Sequence, residues 1–155
     1  MTGFVSSPPP SSSATILGAD GWWPDIDLAH LRDTMRLGTV VTDDRLTEAA
    51  IGAMISVRRD LRTWKLARVL DGAATLADVP AEPLAGVSEL VLLWRRAVYN
   101  HACADLCETY RDLSATSDGS DRAEARALGA DDYRRNALFA VRDMLAVGRV
   151  AVELI

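Results

Sequence analysis

Apolar residues recur at three- and four-residue steps in four stretches of the chain, a pattern typical of helices that bury one face. We predict helices over about residues 28–37, 43–71, 89–113 and 121–147. The pattern indicates a mainly α fold arranged as a four-helix bundle. The apolar stripe of the second helix consists of Leu46, Ala49, Ala50, Ala53, Met54, Val57, Leu61 and Trp64.

Local signals mark where these helices begin and end. Residues that suit an N-cap precede three of them, and glycines that suit a C-terminal stop follow three. Before the first helix, Ile26 is also placed to pack on Leu31. The predicted N-caps are Asp27, Thr42 and Ser88, and the predicted stops are Gly38, Gly72 and Gly148.

The third predicted helix is apolar on most of its sides, with Trp94, Val98, Ala102 and Leu106 among its residues. Such a helix is normally the buried centre of a bundle. Alternatively, its own domain covers one side and a partner covers the other. The pattern leaves both alternatives open.

The segments outside the helices differ in composition. Residues 1–21 contain runs of proline and serine and are predicted to form a flexible, disordered tail. Residues 76–86 predict an ordered connection, and residues 114–120 a polar loop. Residues 148–155 are rich in β-branched and apolar side chains and favour an extended strand. The helical domain is therefore expected to span residues 22–147.

Two adjacent tryptophans, Trp22 and Trp23, stand where the tail meets the helical domain. One explanation is that they pack on the first helices. The other is that they form an exposed hot spot for a partner, because tryptophan is enriched at such positions. They are therefore candidate interface residues.

Cations collect in the C-terminal half of the second predicted helix. They complement the negative end of the helix dipole, and a cluster of this kind is most often a solvated face. The alternative is a contact with DNA or with an acidic partner. The cluster consists of Arg58, Arg59, Arg62, Lys65 and Arg68.

Composition narrows the functional classes. The 155 residues suit one domain, and a hydrophobic content of 49% with 25% charged residues suits a folded one. A formal net charge of −5 argues against a general nucleic-acid binder, which needs excess cations.

The start of the chain lacks the features of a secretory signal, and no apolar run would span a bilayer. We therefore expect a soluble protein made in the cytoplasm, without a membrane partner.

Signatures of chemistry are scarce. The sequence contains no glycine-rich phosphate loop and no nucleophile elbow, and His30 and His101 are its only histidines. On a helix His101 points away from Cys103 and Cys107, so these three do not converge on a metal, and the cysteines suit buried thiols in a reducing compartment. We predict no catalytic residue, no cofactor and no metal.

Several short motifs resemble the head completion protein family (GpL type) of contractile-tailed temperate phages. Their order and near-gapless spacing extend over nearly the whole chain after Trp22, and the N-terminal tail does not match. The motifs are Pro24-Asp25-Ile26-Asp27, Leu31-Arg32, Met35-Arg36-Leu37, Thr39-Val40, Arg45-Leu46, Glu48-Ala49, Leu76-Ala77-Asp78-Val79-Pro80, Arg96-Ala97-Val98, Leu106, Glu108, Tyr110-Arg111 and Gly119.

The resemblance implies a connector-type bundle in the virion, at the head–tail interface, assembled in the host cytoplasm. Its implied partners are the portal protein, neighbouring copies in a ring of about twelve that follows the portal, a tail-side connector or terminator protein, and packaged DNA near the channel. The implied role is to retain the packaged genome and to present a surface for the tail. The family supplies no catalytic residues.

Two hypotheses about surfaces follow. The C-terminal segment adds a strand to a neighbour or partner through Val150, Val152, Leu154 and Ile155. The cationic cluster contacts exiting DNA or an acidic portal rim.

The rival function is a small helical regulatory or DNA-binding adaptor, which the acidic balance and long helices disfavour. An enzyme is the third alternative, and the missing motifs count against it.

Overall fold

The computed structural model describes residues 15–114 and 129–147, and the side chains of residues 15–109 and 129–147. Five α-helices and two short antiparallel strand pairs make up this part of the chain. The elements are β1 (Ile16–Leu17), β2 (Ile26–Asp27), α1 (Leu28–Thr34), α2 (Asp43–Asp60), α3 (Arg62–Leu70), a 3₁₀ turn (Leu76–Asp78), β3 (Pro83–Leu84), β4 (Val87–Ser88), α4 (Glu89–Ser114) and α5 (Ala130–Met144). The mainly helical prediction is confirmed, but the described residues form five helices where four were predicted.

The core is organised around α4, which packs along both α2 and α5. Trp94, Ala97, Val98 and Ala102 of α4 have no exposed surface. Of the two alternatives for this helix, the structure therefore shows the buried centre of the bundle. The apolar stripe predicted for the second helix lies in the same core, with Leu46, Ala50 and Val57 almost fully buried.

Two of the three predicted N-caps are confirmed. The Asp27 carboxylate accepts hydrogen bonds from the Ala29 and His30 amides at 2.9 and 3.1 Å, and Thr42 accepts one from the Arg45 amide at 3.4 Å. The prediction for Ser88 is wrong, because its buried hydroxyl makes no hydrogen bond within the described residues. Instead, the amide of Glu89 donates to the Glu82 carbonyl at 3.0 Å.

Two helices end before their predicted glycines. Arg36, with φ 53°, takes the left-handed conformation that was expected at Gly38. Ala146, with φ 54°, does the same ahead of Gly148. The physical reason is that the hydrogen bond that closes each helix forms before the glycine is reached. In both cases the amide of the residue after the left-handed one donates to the carbonyl five positions earlier. The amide of Leu37 donates to Arg32 at 2.9 Å, and that of Val147 to Arg142 at 3.0 Å.

The second predicted helix is in fact two helices, α2 and α3, separated at Leu61 (φ −94°, ψ 7°). Neither glycine nor proline lies there, so the sequence carries no local signal for the break. Leu61 is fully buried, whereas α3 has no buried residue. Beyond the break Trp64 contacts Trp22 and Lys65 pairs with Asp20, and these non-local contacts join α3 to the N-terminal segment.

The fourth predicted helix also differs from the structure. Gly129 is extended (φ −75°, ψ 166°) and directly precedes α5. The prediction of one continuous helix over residues 121–147 is therefore wrong, because the chain is not helical at Gly129. Asp132 accepts a hydrogen bond from the Gly129 amide at 3.1 Å, which fixes the start of α5. Residues 121–128 lie outside the described residues.

The folded part of the chain begins earlier than the predicted boundary at residue 22. Ile16 and Leu17 pair with Asp27 and Ile26, so residues 15–21 belong to the folded part and not to the predicted tail. The reason is backbone pairing together with the contacts of Asp20 described below, neither of which composition reveals. Residues 1–14 lie outside the described residues.

The connection over residues 76–86 is ordered, as predicted. It contains the 3₁₀ turn and β3, which pairs with β4 immediately after it. The turn between β3 and β4 places Ala85 (φ 51°) and Gly86 (φ 78°) in left-handed conformations. Residues 115–120 of the predicted polar loop and the predicted strand over 150–155 lie outside the described residues. Among the described helices, none is both long and apolar enough to cross a membrane.

Candidate interaction surface

All four tryptophans of the chain form one continuous cluster. Trp22 meets Trp23 and Trp64 edge to face, at centroid distances of 4.6 and 6.2 Å. Trp23 in turn stacks on Trp94 at 4.4 Å. The Trp22 and Trp94 indole nitrogens donate to the Ala73 and Pro24 carbonyls, both at 3.1 Å, so the polar edges are satisfied on burial.

This cluster bears on the two explanations for Trp22 and Trp23. Their exposed fractions are 7% and 2%. Both rings are therefore buried in the described chain, where Trp22 packs on the second predicted helix through Trp64 and Trp23 on the third through Trp94. The tryptophans instead lie beneath the cations of the predicted cluster: Trp23 lines the same surface groove, and Lys65 lies over the Trp22 ring.

Asp20 links two cations of the predicted cluster to the segment that carries Trp22 and Trp23. One of its oxygens accepts the Trp22 and Trp23 amides, each at 3.1 Å. The other accepts Arg58 at 3.0 Å and Lys65 at 2.6 Å. One carboxylate therefore joins the N-terminal segment, α2 and α3.

The pKa of Asp20 reflects these contacts. Partial burial alone would raise it. The Lys65 ammonium and the two tryptophan amides stabilise the ionised form more strongly and hold the pKa of Asp20 at about 2. The carboxylate is therefore charged throughout the physiological range, and two of the neighbouring cations are held in place.

Four of the five predicted cations line one surface groove, which we call the basic groove. Arg58, Arg59, Arg62 and Lys65 surround it, and Trp23 and Ile55 supply its apolar lining. The groove is open to solvent and has a volume of about 470 Å³. The Lys65 ammonium also lies 5.0 Å from the centroid of the Trp22 ring.

Arg68 does not line the groove with the other four. It pairs with Asp71 at 3.1 Å and lies over the Trp64 ring at 5.9 Å. Within the groove, Asp20 offsets part of the positive charge, while Arg62 makes no ion pair within the described residues. The arrangement suits binding of carboxylate or phosphate groups, because guanidinium groups present several donors in a fixed plane.

The two aspartates before the first helix and the buried thiol of Cys103 have structural roles. Asp27 serves as a helix cap and Asp25 accepts the Ala19 amide at 2.9 Å. Burial, with a smaller contribution from Cys107, raises the pKa of the Cys103 thiol to about 12, which suits an inert buried thiol. No group of three or more metal-ligating side chains exists among residues 15–109 and 129–147.

Sequence reasoning missed Asp20, which lay within the predicted tail. Its only local signal is the Asp20-Gly21-Trp22-Trp23 order, in which an aspartate precedes a glycine turn and can accept the amides that follow. The ion pairs to α2 and α3 span 38 and 45 residues, and no local pattern encodes them.

The predicted interface residues Val150, Val152, Leu154 and Ile155 lie outside the described residues.

Comparisons with known proteins add the functional context. The model of the phage head completion protein (GPL) family matches residues 17–155 of this chain. A head completion/stabilization protein of Escherichia phage P2 is 31% identical over 153 residues, which cover 99% of this chain and 90% of that protein. No solved structure matches the chain.

Proposed function

The chain belongs to the phage head completion protein (GPL) family, and from this premise we propose that it binds the portal vertex of the capsid after DNA packaging. There it helps retain the packaged genome and provides the attachment surface for the tail. The observation that carries the proposal is the match over nearly the full length of both the chain and its relative. The role is one of structural assembly.

A ring of about twelve copies that follows the portal is part of this proposal. Subunits in a ring make head-to-tail contacts, which need two different surfaces on each subunit. One of them is proposed to be the side of α3 that exposes Leu66, Val69 and Leu70, with exposed fractions of 59%, 45% and 87%. Exposed apolar groups of this kind suit a contact with another protein.

The basic groove is proposed to meet either an acidic surface of the portal or exiting DNA. Its support is the convergence of Arg58, Arg59, Arg62 and Lys65 on one concave surface. Either contact is electrostatic and weakens as salt concentration rises. A tail-side connector or terminator protein is the partner proposed on the opposite side of the ring.

The C-terminal residues 150–155 are proposed to add a strand to a neighbouring copy or to the portal or tail partner. Their support is composition, because Val150, Val152, Leu154 and Ile155 suit an extended strand. A strand of this type gains backbone hydrogen bonds from the sheet edge that it joins.

The proposal is tested by deleting the gene from the phage or prophage that encodes it. Packaged heads should accumulate without tails and lose their DNA, while free tails remain normal. Expression of the protein from a plasmid should restore joined particles. Joined, DNA-filled, infectious particles without the protein would overturn the proposal.

A further inference from the structure

The solvent side of α2 and the first residue of α3 carry a row of side chains with an unusual order. Steps of four, three, four, three and four residues separate its members, so they share one helical face. The row begins with two acids, continues with two isoleucines and ends with two arginines. Its members are Asp44, Glu48, Ile51, Ile55, Arg58 and Arg62.

The structure places this row at the surface. Ile51 and Ile55 expose 39% and 61% of their area, although both are large aliphatic side chains. Arg62 follows the break at Leu61, yet it lines the basic groove together with Ile55 and Arg58 and so remains on the same side. Asp44, Glu48 and Arg62 make no ion pair within the described part of the chain.

We propose that this row is a contact between two copies of the chain, in which the α2 helices pack antiparallel about a two-fold axis that passes between Ile51 and Ile55. Along the sequence the row is centred on position 53, whose own side chain is buried on the opposite face of α2. Asp44 and Arg62 lie nine residues on either side of that position, Glu48 and Arg58 five, and Ile51 and Ile55 two. In the antiparallel arrangement each acid of one copy therefore faces an arginine of the other. The isoleucines meet in the middle, giving an apolar centre with a charged rim.

Charge selects this arrangement over its alternatives. Parallel helices would set acids against acids and arginines against arginines, which is unfavourable. DNA laid along the row would meet the carboxylates of Asp44 and Glu48 as well as the two arginines. Arg58 keeps its bond to Asp20 at 3.0 Å, because a guanidinium has enough donors for a second carboxylate.

The contact does not rest on the proposed function, because a two-fold interface is closed and does not itself build a ring. Ile55, Arg58 and Arg62 also line the basic groove, so a dimer formed through this row covers the groove and must open before the groove binds another partner. A chain that forms no dimer would leave the portal role untouched. From Asp44 to Arg58 the row spans about 21 Å of α2 at 1.5 Å per residue, and Arg62 follows beyond the break, so the interface is modest. We therefore expect a dimer that dissociates on dilution.

The test is sedimentation velocity and native mass spectrometry of the full chain, as the unmodified protein and as Asp44→Arg and Arg62→Asp variants. Each variant alone sets like charges against each other at two symmetric positions, and we expect its dimer to weaken by about tenfold or more. Mixing the two variants pairs opposite charges again and should restore the dimer. So should the Asp44→Arg/Arg62→Asp double variant. Arg96→Asp, an exposed change on α4, is the matched control and should leave the dimer unchanged.

Three results would overturn the proposal. One is a monomer at every concentration. Another is a dimer that the single variants leave unchanged, which would assign the contact to another surface. The third is a monomer that binds duplex DNA through Arg62, which would assign the row to nucleic acid. Thermal unfolding of each variant separates loss of the contact from loss of the fold.

Discussion

Trp23 stacks on Trp94 with ring centroids 4.4 Å apart and planes inclined by 20°. This contact joins the segment before α1 to the central helix of the bundle, and both rings are almost completely buried. The N-terminal segment is therefore part of the core. Trp23 also lines the basic groove, so the cations of the groove surround a residue that is held in the core.

The first prediction concerns this stack. Trp94→Ala should lower the free energy of unfolding by about 4 kcal/mol, because it removes a buried aromatic ring and leaves a cavity. Denaturant titration followed by circular dichroism measures the loss. Leu70→Ala, at a side chain that is 87% exposed, is the control and should change stability by less than about 0.5 kcal/mol. Similar losses in both variants would show that the stack has no special importance.

The sequence predicted those features that depend on neighbouring residues. Asp27 and Thr42 cap their helices as expected, because a cap needs only the amides of the next turn. The break at Leu61 was not predictable, since no glycine or proline lies there and the contacts that accompany it, those of Trp64 and Lys65, reach the distant N-terminal segment. In the same way, the cations of the groove were identified as a cluster, but their carboxylate partner Asp20 was not.

The second prediction concerns Asp20 and pH. Its pKa of about 2 lies below the ordinary value of 3.8, so its ionised form stabilises the fold above pH 3.8, and this stabilisation disappears as pH falls toward 2. Asp20→Asn should therefore be less stable than the unmodified protein at pH 7, by about 1 kcal/mol. The difference should shrink between pH 4 and 2. Thermal unfolding across this range measures it, with Asp33→Asn, at an exposed carboxylate, as control. A difference independent of pH would contradict the role of the charge.

The third prediction concerns the basic groove. Arg59→Glu reverses one exposed charge and should change the free energy of unfolding by less than about 0.5 kcal/mol. Binding to the portal should weaken, and the salt dependence of that binding should become smaller, because one electrostatic contact is lost. Surface plasmon resonance at several salt concentrations measures both effects. Arg96→Glu on α4 is the matched control. Equal binding by the two variants would show the groove to be merely solvated.

The fourth prediction concerns the C-terminal segment. Removal of residues 150–155 should leave the thermal unfolding of the protein unchanged while heads fail to join tails. The reason is that the segment acts on a partner and not on the core of its own chain. Plaque counts after complementation, with electron microscopy of the lysate, measure this effect. Normal infectivity of the truncated protein would reject the hypothesis.

The central claim is that this member of the head completion family assembles on the portal. Cryo-electron microscopy of the purified protein mixed with its portal tests this claim most directly. The proposed function predicts a ring of this chain bound to the portal, with the basic groove against an acidic surface or the DNA channel. A portal without added density, together with a free chain that binds duplex DNA as a monomer, would contradict it and favour a DNA-binding adaptor.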